Sequence, residues 1–93
     1  MASPDIPPDL IALQRDFDAA NVRCEEIAAR LPSAIDVAAG RAEFTDEQVA
    51  ELRDARARRD QIGMKLINHE WWEKQPNRFE ARRQLHEVAR AEQ

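Results

Sequence analysis

Apolar side chains recur along residues 10–31 at steps of three and four: Leu10, Leu13, Phe17, Ala20, Cys24, Ile27 and Leu31. Asp16, Asp18, Arg23, Glu25, Glu26 and Arg30 occupy positions beside them. Three heptads of this kind predict an amphipathic helix, and its stripe must be buried along another helix. Pro8 or Asp9 suits the first turn, where proline loses no hydrogen bond and an acid meets the positive end of the helix dipole. Pro32 disfavours helical geometry in the residue before it. The first helix is therefore expected over about 8–31.

Residues 32–44 read as a connector. Ser33 and Asp36 have the spacing of a capping box and Gly40 follows Ala39, so one helical turn is expected there. Thr45 and Gln48 repeat the box more strongly, with Phe44 and Val49 placed as a hydrophobic staple. The second helix should start at Thr45 and run to Glu73 or Lys74, before Gln75 and Pro76. Asn77 and Glu80 then open a third helix over about 78–91, with a weak stripe of Ala81, Leu85, Val88 and Ala89.

The second helix has two apolar flanks. Leu52, Ala55, Ile62 and Leu66 form one; Val49, Ala57, Met64, Ile67 and Trp71 form the other. Two flanks require two neighbours. The first helix supplies one, in an antiparallel register whose contacting positions sum to about 80. That register sets Ile27 on Leu52, Leu13 on Leu66 and Phe17 on Gly63, with Ala20 and Cys24 opposite Arg59 and Arg56. Gly63 costs about 1 kcal/mol inside a helix, and room for Phe17 accounts for it. The expected fold is all-α: an antiparallel helical hairpin of two long helices plus a shorter C-terminal helix, one domain over 1–93. The second flank calls for the third helix or a second copy of the chain, and a homodimer with a helical-bundle core is expected.

Composition agrees with that class. The chain has 93 residues, two Gly and no Tyr, and is 43% hydrophobic and 34% charged, which argues against a sheet or a disordered tail. One Cys forms no internal disulfide. Cys24 lies on the apolar stripe as a small hydrophobe. No apolar leader or membrane span is visible, so a cytoplasmic protein is expected. The net charge of −4 is unevenly distributed: ten acids against four bases in residues 1–47, eight against ten in 48–93. Either the two halves attract each other, or the second half binds anions.

Candidate chemistry is sparse. Trp71 and Trp72 are adjacent, and Trp and Arg dominate binding hot spots. The candidate partner surface is Trp71, Trp72, Arg78 and Phe79, with Met64 and Ile67 alongside. The alternative is that both Trp fill the junction between the second and third helices. His69-Glu70-Trp71-Trp72-Glu73 resembles the zinc-binding HExxH helix, but Glu73 replaces its second His. No metal or cofactor is expected. Arg53, Arg56, Arg58 and Arg59 share no face and alternate with acids. Lys74 to Asn77 could serve as the turn of a helix-turn-helix, with Arg82 and Arg83 as nucleic-acid contacts on a basic third helix.

Leu10-x-x-Leu13-Gln14-x-x-Phe17-Asp18 resembles the opening of the first helix of helical chorismate mutases. The likeness covers nine residues, and Gln14 stands where that family usually has an Arg. No other active-site position matches, and no catalytic residues are assigned. The function expected is therefore a non-catalytic protein–protein interaction module. The alternative is a nucleic-acid-binding regulator using the C-terminal helix.

Overall fold

The computed structural model describes residues 6–91, and every regular element among them is helical. Helix α1 spans Pro8–Arg30, α2 Ala34–Ala38, α3 Asp46–Ile67 and α4 Arg78–Ala91; a 3₁₀ turn, Glu70–Lys74, lies between α3 and α4. Local signals account for the starts and stops. Pro8 occupies the first turn of α1, and Leu31 turns extended ahead of Pro32. Ser33 Oγ accepts the Asp36 N–H at 3.1 Å. Gly40 adopts φ 75° beyond α2, and the Arg41 N–H returns to the Asp36 carbonyl at 2.9 Å while the Gly40 N–H meets Val37. This paired closure needs a left-handed residue, which glycine supplies without a Cβ clash. Thr45 and Gln48 form the full capping box, with bonds of 2.9 and 3.1 Å.

The second long helix stops earlier than its sequence pattern predicts. It ends at Ile67, seven residues short of Lys74, and His69 is extended. Three side-chain bonds favour the break. Trp72 Nε1 donates to the Leu66 carbonyl at 2.7 Å, satisfying an acceptor in the last turn of α3. His69 Nδ1 accepts the Trp71 N–H at 3.1 Å, and His69 Nε2 lies 2.9 Å from Asp9 Oδ2. The tryptophans therefore leave a continuous α-helix and pack edge to face, ring centres 5.0 Å apart and planes at 70°.

Helix α1 is the element against which both α3 and α4 pack. Its contacts with the α3 region run in opposite chain order: Arg30 bonds Glu51, Phe17 lies on Gly63 and Asp9 meets His69. A Cβ on Gly63 would sit 3.1 Å from the Phe17 ring, so the absent side chain sets this approach. Leu52, Ala55, Ile62 and Leu66 are partly covered, whereas Val49, Met64 and Ile67 are 52%, 57% and 70% exposed. The second flank of α3 is thus uncovered in the single chain.

Helix α4 folds back on the start of α1. Leu10, Trp71, Ala81 and Leu85 form the buried cluster there, with Ile6, Ile11, Leu66 and Trp72 packed around it. Arg15 Nε holds the Ala89 carbonyl at 3.2 Å near the C-terminal end of α4, where a cation opposes the helix dipole favourably. Cys24 and Ile27 are buried farther along α1, Cys24 as the small hydrophobe its stripe position predicts. No described helix is long and apolar enough to cross a membrane.

Candidate functional site

The residues singled out from sequence divide into three settings. Trp71 is 6% exposed and belongs to the core, because the 3₁₀ turn aims it between α1 and α4. It fills the helix junction and is withdrawn from any partner surface. Met64 and Phe79 are exposed, Phe79 at 79%. Trp72, Ile67 and Arg78 come together along one groove.

That groove encloses about 240 Å³ between α1, α3 and α4. Phe17 from α1, Leu66 and Ile67 from α3, and Trp72 line its apolar side. Gly63 brings α3 close enough to Phe17 to form the floor. Arg78, Arg82 and His86 line the groove from α4, spaced four residues apart along one face of that helix. Gln14 completes the lining; it is only 2% exposed and donates from Nε2 to Asp18 Oδ1 at 2.9 Å. The apolar pattern had no place for a buried Gln14, although Asp18 one turn later is its partner on the same helix face. The four-residue spacing of Arg78, Arg82 and His86 was a legible sign of a cationic face.

The electrostatics of α4 separate two neighbouring arginines. Arg83 is paired with Glu80 and Glu87. Its hydrogen bond to Glu80, followed by the attraction of both carboxylates, raises the Arg83 pKa above its usual value; the same bond lowers that of Glu80. Arg82 and Arg78 form no ion pair among the described residues. Of the two arginines expected as nucleic-acid contacts, one is neutralised and the other faces the groove.

The uneven charge of the two halves does not translate into simple mutual attraction. Glu51 of α3 receives Arg30 at 3.1 Å and Arg23 at 3.5 Å, so the bases come from the acidic half and the acid from the basic half. Asp9 reaches across the two halves as well, to the ring of His69. Arg59 is tied to its neighbour Asp60 at 3.1 Å, not to the acids of α1. His69, the histidine of the HExxH-like stretch, is held by Asp9 and the Trp71 N–H.

Residues 9–88 match the model of a family described as a domain of unknown function, DUF8825, and the chain belongs to that family. No curated protein and no solved structure matches it.

Proposed function

We propose that this DUF8825 chain is a non-catalytic protein–protein interaction module: an antiparallel hairpin of α1 and α3, backed by α4, that forms a homodimer through the outer flank of α3. The observation carrying this reading is the exposure of Val49, Met64 and Ile67 along one face of α3, from its first turn to its last. Large apolar side chains left exposed on one helix face favour association. A two-fold axis across α3 would present the same strip from both chains, as an isologous dimer requires.

Light scattering across a dilution series tests it. The expected result is a dimer of the 10.7 kDa chain that persists from low to high salt, with conversion to monomer by Val49→Glu together with Met64→Glu and unchanged helical circular dichroism. A monomer at every concentration overturns dimerisation. The alternative, a nucleic-acid-binding regulator using α4, makes the opposite forecast. There, reversing charge at Arg82 and Arg83 would abolish a salt-sensitive nucleic-acid shift while leaving α3 variants silent.

A further inference from the structure

The groove beside Trp72 combines two properties that the α3 flank lacks. First, its cations are uncompensated: Arg78 and Arg82 line it beside His86, and no Asp or Glu does. Arg83, one position from Arg82, faces away into its own carboxylate pairs, so the charge directed at the groove is selective. Second, two of the N–H donors on the apolar side are already engaged. The Trp72 indole N–H is used by the Leu66 carbonyl, and one N–H of the Gln14 amide by Asp18. Trp72 therefore offers a ligand its ring surface, while the ionic donors are the α4 arginines.

We propose that this groove binds a small organic anion, with an apolar ring body seated among Phe17, Leu66 and Trp72 and a carboxylate held by Arg78 and Arg82. A volume of about 240 Å³ lies below that of drug-sized ligand pockets and suits a body of one or two fused rings. Guanidinium groups match a carboxylate with charge-assisted, frequently bidentate hydrogen bonds. The first turn of α4 contributes the positive end of its dipole near Arg78. Specificity follows from the division: ring surface alone would admit neutral compounds, and the arginine pair selects the acid.

The probe is 2-naphthylacetate, compared with the neutral 2-naphthylacetamide, titrated into the full chain and followed by proton–nitrogen NMR. The acid should give saturable shifts at the Gly63 amide and the Trp72 indole N–H. The amide should bind at least about tenfold more weakly, a difference matching one lost charge-assisted contact. Arg78→Gln with Arg82→Gln should bring the acid to the level of the amide, while Arg83→Gln should change neither. Equal affinity for acid and amide, dependence on Arg83, or shifts centred on Val49 and Phe44 would overturn the assignment, as would the absence of saturable binding. The outcome is independent of association: a monomer that binds the acid refutes only the dimer, and a dimer that does not bind it refutes only this groove.

Discussion

Gly63 shows how one missing methyl group sets a helix–helix distance. Alanine there would gain about 1 kcal/mol of helix propensity, but its Cβ would lie 3.1 Å from the Phe17 ring. The two effects oppose each other only while Phe17 is present. Gly63→Ala should therefore stabilise the chain by about 1 kcal/mol in a Phe17→Ala background and by clearly less in the wild type, a coupling that a double-mutant cycle in urea isolates. Equal effects in both backgrounds would show that Phe17 does not constrain the position. Asp9 makes a second residue-scale forecast. Its hydrogen bond to His69 lowers its pKa. A carboxylate depressed in the folded state adds stability that is fully present above its unfolded value, near 4, and lost as pH falls through the lower folded value. Melting temperatures measured from pH 6 downwards should fall less steeply over that acid window in Asp9→Asn than in the wild type.

At the scale of elements, the break after Ile67 decides what the tryptophan pair does. A continuous helix would have pointed Trp71 and Trp72 in directions about 100° apart, with one of them on an outer surface. The extended His69 and the 3₁₀ turn instead place Trp71 in the core and let Trp72 close the end of α3. The two neighbours should differ sharply under substitution. Trp71→Ala removes a ring packed on Leu10 and Leu85 and should cost about 3–5 kcal/mol. Trp72→Phe keeps most of the apolar bulk and loses one hydrogen bond, about 1 kcal/mol. Denaturant unfolding separates them, and similar losses would contradict the buried placement of Trp71. The break was hard to foresee because neither glycine nor proline marks residues 66–70. Its signals are side-chain bonds from Trp72, His69 and Asp9, one of them 60 residues away in sequence.

At the scale of the molecule, the body is long and narrow, 58 × 22 × 21 Å, with α1 shared between α3 and α4. One end is closed by α4 over Leu10, Trp71 and Leu85, while α3 leaves Val49 near its start and Met64 and Ile67 near its end exposed. Association through that flank would rest on apolar contact, so its dissociation constant should change little with salt. Contacts between oppositely charged halves would instead weaken as salt rises. The ion pairs already made within the chain point to the first regime, since Glu51 gathers Arg23 and Arg30 and Arg83 is held by two glutamates. Cations without an ion pair among the described residues lie on α3 as well as on α4, and of these Arg78 and Arg82 line the groove.

The amino-acid sequence by itself determined the helical class, the capped start of α3, the turn ended by Gly40, the span of α4 and the meeting of Phe17 with Gly63. Each depends on neighbours within one turn, or on an apolar period that leaves a helix one face to bury. Tertiary structure decided the early end of α3, the burial of Trp71, the sheltered Gln14 and the arrival of Arg78 and Arg82 in one groove with Phe17 and Trp72. Those outcomes depend on which distant groups arrive beside a residue: Asp9 beside His69, α4 beside α1. A local pattern can establish that a side chain is apolar or charged, but its exposure and its partner are settled only when helices far apart in sequence pack together.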